Sequence, residues 1–564
     1  MSKKPTPPIK PKAIAKAGGR PHGASPRSNR VRAESDTAPL IELVKAGRYV
    51  EAREWIKADA HAEAWLTHSR LAMVAAAEGN HSLVEHHLRQ ATREEGCSWK
   101  TYKNLAQFHN SRGEYKQGLE LSRKAYALNS EDFDVCRVLS NCLIDLAKFE
   151  EVLELSERFL QKEPGNRHFL LAKAAAYKGL GLPLDSLAAI ETVFQQYPDD
   201  LVAQRLQADI IAETDSRAGL VLYRKTFEAQ EKTRKGGVEV PLKWNMCLHL
   251  LRTRDFVKGW EYWELGFHKD VGTMGRRIPP QLLKQQRADQ QEVDPKKWTL
   301  LCPEQGIGDQ ILFFSGMNEF LEEFQNVIVP IEPRMQAIMK RSFPKAQFCL
   351  PGFIESWTDC PLPKNGHVPL GSVLARYRQA AADFERGKKP FLQVNGDLYK
   401  RYHAELRRVA RGRPVVGISW RGGYWDAQKR TKAMEIEDWT PIFERGALVV
   451  NLQYGDCTAE EKWLEERGYQ FVTFPKLDFK KDLDDWLAIA AACDGILSVS
   501  TALVHFAGAC GQRVGVIMPQ PQGPWILGME DDWHLAYPEV HIFRRDAGES
   551  TKQLIDRVSG SILA

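Results

Sequence analysis

Three glycine-bearing turns hold the residues best suited to chemistry. The first, Pro303-Glu304-Gln305-Gly306-Ile307-Gly308-Asp309-Gln310, lies between the strand-like run WTLLCP and an apolar helical pattern beginning near Ile311. Gly306 and Gly308 permit close backbone approach, and Asp309 falls at the helix start, where an Asp serves either as a cap or as a general base. The second, Ser419-Trp420-Arg421-Gly422-Gly423, follows VVGIS and leads into Lys429-Arg430-Thr431-Lys432. Glycines beside cations suit a diphosphate, and they also suit a solvated basic loop. The third joins GILSVS to Thr501-Ala502-Leu503-Val504-His505 and the small-residue helix FAGACG. Amides of Ser500, Thr501, Ala502 and Leu503, with the positive end of the helix dipole, form an anion seat. His505, one turn on, either reaches that anion or sits half-buried and internally satisfied. Asp482-Leu483-Asp484 matches a metal-holding Asp-x-Asp, but it opens the amphipathic pattern DDWLAIAAAC, where acids complement the helix dipole. Glu530-Asp531-Asp532 reads as a polar loop.

These turns need strands and helices to hold them. From Trp298 onward the runs WTLLCP, NVIVPIE, AQFCLP, VVGISW, ALVVNLQ, YQFVTF, GILSVS and RVGVIMP alternate with helical patterns, which predicts parallel sheets covered by helices on both faces. Two such units are expected, about 297–395 and 412–545, separated by the helix-like LYKRYHAELRRVARGRP. The amphipathic stretch Lys552–Ile562 can pack on either unit. Two such sheets facing each other place a cleft at the carboxyl ends of their strands.

The first half has a different period. Gly79, Gly113, Ala147 and Gly181 stand 34 residues apart, each followed two positions later by His81, Tyr115, Phe149 or Pro183. Ala72, Ala106, Ser140 and Ala174 keep the same step, as do Ala91, Ala125, Phe159 and Val193. This resembles the tetratricopeptide repeat (TPR). Gly47, Tyr49 and Ala52 look like a truncated first copy, and Trp244, Leu251, Phe256 and Gly259 like a divergent last one. Stacked helix pairs bury each other's apolar stripes and leave a groove for an extended or helical ligand; alternatively, they only brace the next domain.

Composition limits the function classes. The 564 residues are 43% hydrophobic and include 15 Trp, enough for two or three packed cores. The net charge of +5 hides an asymmetry: residues 1–33 carry nine Lys or Arg and no acid, so the remainder is net negative. That distribution predicts a disordered basic tail and argues against a nucleic-acid-binding body. The ten Cys form no Cys-x-x-Cys pair, which points away from a zinc site or a disulfide framework. No apolar run reaches the roughly 18 residues of a membrane span, and the N-terminus lacks the apolar stretch of a secretory signal; a cytoplasmic protein is expected.

Taken in order, EQGIGDQ, HVPLGSVLA, GISWRGG, NLQYGD, STALVHFAGACG and the tail from Trp525 to Arg544 resemble the heptosyltransferase-like glycosyltransferases of the GT-B fold, in particular bacterial members carrying TPRs ahead of the transferase. The resemblance implies an α plus α/β protein: a basic tail (1–36), a TPR helical solenoid (37–270), a linker (271–296) and a GT-B transferase of two Rossmann-like domains (297–411 on the acceptor side, 412–564 on the nucleotide-sugar side). It implies Asp309 as general base, with Gln305, Gly306 and Gly308 forming the cleft loop. Donor contacts fall on Arg421, Gly422, Lys432, Gln453, Ser500, Thr501, Ala502, Leu503 and His505, with Lys429 and Arg430 as competing alignments for Lys432. Ser500 stands where the family usually has Asp. The implied activity is inverting transfer of a sugar from a nucleotide-sugar to a protein or glycan presented by the TPR groove, with no metal or other cofactor. The alternative is a non-catalytic TPR scaffold whose transferase domain has degenerated.

Overall fold

The computed structural model describes residues 37–59, 62–233, 240–268, 271, 275–283, 285, 287–290, 292–357, 359–422, 433–519 and 523–563. The basic tail, Lys429, Arg430 and Lys432 lie outside the described residues.

The first half is a run of helices, paired as Ala38–Lys45 with Tyr49–Ala58, Ala64–Ala77 with His81–Ala91, Trp99–Ser111 with Tyr115–Leu128, Arg167–Gly179 with Pro183–Gln196, Leu201–Thr214 with Ser216–Thr233, and Val240–Arg252 with Phe256–Glu264, with Phe133–Asp145 and Phe149–Leu160 between the third and fourth of these pairs in the chain. This is the TPR arrangement, and the repeated residues explain it. Gly47, Gly79, Gly113 and Gly181 take φ of 70–75° in the inter-helix turns, a left-handed conformation that glycine adopts without a β-carbon penalty. Ala147 and Arg254 occupy the same role at φ 54° and 69°. The small residues Ala72, Ala106, Ser140 and Ala174, and the next in step, Ala208, are 0–3% exposed, so adjacent helices approach where a larger side chain would intrude.

The chain divides into two compact units between Cys142 and Leu143, within the repeats rather than at 271–296. In the second unit, the final helix pairs share one apolar core with the sheets: Trp260 and Trp263 belong to the same buried cluster as Phe313, Phe314, Leu487 and Trp525. The expected linker is part of this packing, with Arg276, Leu282 and Ala288 buried.

Two parallel sheets follow. In the first, β1 (Trp298–Cys302), β2 (Asn326–Pro330), β3 (Gln347–Cys349) and β4 (Lys364–Pro369) lie in the order β3-β2-β1-β4. The second comprises β5 (Val415–Ser419), β6 (Leu448–Asn451), β7 (Phe471–Val472), β8 (Gly495–Val499), β9 (Val514–Met518) and β10 (Val540–Arg544) in the order β10-β9-β8-β5-β6-β7. Counted from β5, this is the 3-2-1-4-5-6 order of doubly wound nucleotide-binding sheets, whose switch point falls between β5 and β8. Residues of β5 and β8 are buried throughout, as a sheet covered on both faces requires. The polar segment between the sheets is the helix Gly396–Ala410. The terminal helix Thr551–Leu563 packs on the second sheet, where Leu554, Ile555 and Val558 join a cluster with Val416, Ile418 and Leu497.

Candidate active site

The turn after β1 is fixed from within. Glu304, which ends it on the strand side, is buried and receives a bidentate pair from Arg276, whose Nε lies 2.9 Å from Glu304 Oε2. The backbone N–H of Gly371 also donates to Glu304, at 2.8 Å. Arg276 lies between Phe267 and Trp263, its guanidinium carbon 4.2 and 4.9 Å from their ring centres, and it also pairs with Glu264 at 3.0 Å. Arg287 and Ser372 extend the network to Glu264. Gln305 then takes φ 63°, a left-handed conformation uncommon for a residue with a side chain. Its carbonyl accepts from Gln310 Nε2 at 3.2 Å.

Gly306 occupies the cap position of the helix Ile307–Phe313, which no side chain caps. Asp309 is therefore three residues inside the helix, exposed rather than turned into the core. The carboxylate stands at the surface of the turn, with Oδ2 3.4 Å from the β-carbon position of Gly306.

Across from this turn lies the helix Ala502–Ala509 at the end of β8. A β-carbon on Gly308 would stand 3.0 Å from His505 Cδ2 and 3.5 Å from Ala502 Cα. The first turns of two helices, one from each sheet, thus meet at their strands' carboxyl ends. Thr501 precedes the helix, and its hydroxyl lies 3.1 Å from Ser498 Oγ, pointing inward. Thr501 and Leu503 are buried while Ser500, Ala502 and His505 keep partial exposure. A ligand here would meet backbone amides of the segment rather than the side chains of Thr501 or Leu503.

His505 Nδ1 lies 3.0 Å from Tyr537 Oη. The Tyr537 ring stacks on His534, with centroids 4.3 Å apart and planes at 19°. Burial lowers the His505 pKa to about 4 and holds that of His534 well below the ordinary value. Burial, reinforced by the nearby negative charge of Asp309, holds the Tyr537 phenol well above its own. Tyr537 therefore lies within reach of the charge of Asp309 and in contact with His505.

The turn after β5 is shaped by Gln453. This side chain is 3% exposed, and its Oε1 accepts from Ser419 Oγ, Trp420 N and Arg421 N, each at 3.0 Å. Gln453 therefore organises the turn instead of facing solvent. Arg421 is held as well: its Nε donates to Glu460 at 2.8 Å, and a terminal nitrogen donates to the Asp456 carbonyl. Gly422 has open space where a β-carbon would sit. Lys480, which spacing alone did not single out, brings Nζ within 3.9 Å of the β-carbon position of Gly455, beside Arg421 at 4.0 Å.

The acids considered as metal holders have internal partners. Asp484 accepts from Arg341 at 2.5 Å, and Asp482 accepts from the Asp478 amide at 2.8 Å. Asp482 precedes the helix Leu483–Ala492, as the dipole argument expects. Among the described residues no cluster of three or more His, Cys, Asp or Glu is arranged to hold a metal ion. Glu530 and Asp531 are more than a polar loop, since they pair with Arg217 at 2.7 Å and Arg254 at 2.8 Å from the last helix pairs. No described helix is long and apolar enough to cross a membrane. A cavity of about 330 Å3 lined by Arg407, Arg413, Asp494 and Arg513 opens at the starts of β5, β8 and β9, the edge away from the turns.

Tyr537 and His534 were not distinguished in the sequence. They lie in the tail between Trp525 and Arg544, about 30 residues from His505, and nothing in their local spacing marks the contact.

No family profile matches the chain. FlbA of Caulobacter vibrioides is 27% identical over 305 residues, covering 51% of this chain and 49% of that protein. The chain thus spans about half the length of that relative. Solved structures with similar helical repeats include a tetratricopeptide repeat protein from Parabacteroides merdae, 15% identical over 45% of this chain and 96% of that one, with a TM-score of 0.35. MamA from Desulfovibrio magneticus is 12% identical over 31% of this chain and 100% of that one, with a TM-score of 0.29.

Proposed function

We propose that the protein is an inverting, metal-independent glycosyltransferase with a GT-B arrangement of its two sheet domains. It moves a sugar from a nucleotide-sugar to a macromolecular acceptor presented by the repeats. The observation that supports this reading is the meeting of the Gly308–Asp309 turn with the helix Ala502–Ala509: Gly308 packs on Ala502 and His505, and the charge of Asp309 is felt at Tyr537, the partner of His505. It follows the Rossmann-type order of the second sheet, whose switch point is where a nucleotide seats.

In this reading Asp309 takes the proton of the acceptor hydroxyl as its oxygen bonds to the anomeric carbon. The bond from that carbon to the donor phosphate breaks with inversion, and the nucleoside diphosphate leaves with the bonding electrons. Its developing charge is met by the amides of Ser500, Thr501, Ala502 and Leu503, by His505, and by cations including Lys432 and Lys480. Gln453 and Arg421 act at one remove by holding the second turn. Closure of the two domains excludes water that would otherwise hydrolyse the donor. A protein acceptor is favoured over a glycan because helical repeats suit extended peptides, and a cytoplasmic location fits a nucleotide-sugar supply.

A second reading is favoured by Ser500, which lacks the carboxylate found in the family: a scaffold that binds nucleotide without turnover. A thermal-shift screen with UDP-, GDP-, ADP-, CMP- and dTDP-sugars separates the two from an unliganded protein, because a ligand at 100 times its Kd adds about 2.7 kcal/mol. Transfer to acceptor proteins, followed by mass spectrometry, then separates enzyme from scaffold. Absence of any shift overturns the nucleotide-sugar reading.

A further inference from the structure

What His505 offers a ligand depends on which of its nitrogens carries the proton. The 3.0 Å contact between Nδ1 and Tyr537 Oη is satisfied either by the phenol donating to the ring or by the ring donating to the phenol. Burial decides between them. Tyr537 is fully buried, and among the described residues its hydroxyl has no second hydrogen-bond partner. Donation from the ring would strand the phenolic O–H without an acceptor, and an orphaned buried donor is the costlier arrangement. Burial keeps the imidazole neutral, and burial with the charge of Asp309 keeps the phenol protonated. The pair is therefore a neutral phenol donating to a neutral ring.

The remaining edge of the ring faces the first sheet's turn. Cδ2 and Nε2 lie 3.0 and 3.7 Å from the β-carbon position of Gly308. Nε2 has no hydrogen-bond partner among the described residues, and His505 keeps partial exposure. Tyr537 is packed by its neighbours. His534 stacks beneath its ring, with His534 Nδ1 accepting from the Ala536 amide at 3.1 Å. Gly508, on the helix that bears His505, leaves room for Tyr537, whose Cδ2 would be 2.7 Å from a β-carbon at that position.

We infer that Tyr537 is a positioning residue that locks His505 as the Nε2–H tautomer, so that the edge facing Gly308 is a fixed hydrogen-bond donor for an oxyanion. The identity of that oxyanion, a phosphate oxygen of the donor, rests on the function proposed above; the tautomer does not. A neutral donor of this kind gives up no proton on binding and needs no reorientation when charge develops on the leaving oxygen.

The test uses the full chain labelled with 15N-histidine, with the His505 signals assigned by their loss in H505Q. Long-range proton–nitrogen correlation spectra read the tautomer directly. The inference expects a protonated Nε2 and an acceptor-type Nδ1 in the wild type, and a mixed population in Y537F. A wild-type His505 protonated on Nδ1, or an unchanged tautomer in Y537F, overturns it; the first of these readings stands even if Y537F fails to fold. Calorimetry with inorganic pyrophosphate and with UDP and GDP supplies the second readout, where Y537F is expected to bind about tenfold more weakly. Equal affinity in wild type and Y537F overturns the proposed role. Failure of the wild type to bind any of these anions overturns the glycosyltransferase reading instead and leaves the tautomer to the spectrum.

Discussion

Gly308 packs so closely on His505 that a β-carbon at position 308 would stand 3.0 Å from the imidazole Cδ2. Because His505 is tied to the buried Tyr537, the ring is not free to give way. The turn after β1 thus approaches the helix after β8 as closely as only glycine permits.

G308A is therefore expected to destabilise the protein by about 1–3 kcal/mol through overpacking and to weaken nucleotide binding. Denaturant unfolding together with donor titration checks this. A variant as stable as wild type and equally able to bind would show that the domains yield at this contact.

D309N retains the shape of the side chain and removes its basicity. Sugar transfer should fall by about 100- to 10,000-fold, with the melting temperature and nucleotide affinity unchanged. Turnover at the wild-type rate would remove Asp309 from its proposed role.

Much of this arrangement was legible from local pattern. The 34-residue step located the turns between helices because a left-handed position recurs there, and the apolar runs located eight of the ten strands. β4 and β10 escaped because their sequences, KNGHVP and VHIFR, alternate weakly and contain polar residues at the sheet's ends. The Asp309 turn and the 500–505 segment were visible because glycine, acid and small residues cluster between strand and helix. The roles of Gln453 and Tyr537 were not. Each is defined by partners about 30 residues away in sequence, a contact that no period or composition encodes. The span 271–296 read as a linker for the same reason, since Arg276 gains its meaning only from Glu304, Trp263 and Phe267.

E304Q leaves the Arg276 guanidinium buried beside a neutral amide. Removing one member of a fully buried pair costs about 3–5 kcal/mol, and here it also loosens the backbone ahead of Gln305. Chemical denaturation should show that loss, accompanied by reduced transfer. A variant beginning at residue 297 removes both Arg276 and Glu264 and should not fold independently; a cooperative unfolding transition from that fragment would contradict the continuous core.

Acid should weaken the fold before it protonates most carboxylates. Burial holds the pKa of His505 to about 4 and that of His249 to about 3, whereas both approach 6.5 in an unfolded chain. As the pH falls below about 6.5 the unfolded state takes up protons that the native state refuses, so stability drops until the pH nears the native values. The slope is at most about 1.4 kcal/mol per pH unit for each histidine. Denaturation midpoints at pH 7 and pH 5 should differ, and H505Q should narrow the difference. A midpoint independent of pH in this window would mean that these rings take up protons as readily in the native state as in the unfolded one.

Q453A removes the acceptor for Ser419, Trp420 and Arg421 together. With three donors left buried or partly buried, a loss of about 1–3 kcal/mol for each fully unsatisfied group sets the scale. Proteolysis at 419–422 should accelerate relative to wild type, and nucleotide binding should weaken even though Gln453 itself is enclosed.

The ion pair that fixes the turn before Gln305 has one further consequence. Its arginine is gripped by aromatic residues from the last repeat, so this hairpin cannot be exchanged like a cassette. An exchange of repeats must splice upstream of the helix Val240–Arg252 and inherit everything after it. Variation among the repeats is thereby confined to the earlier hairpins, while the last one changes in step with the two sheets.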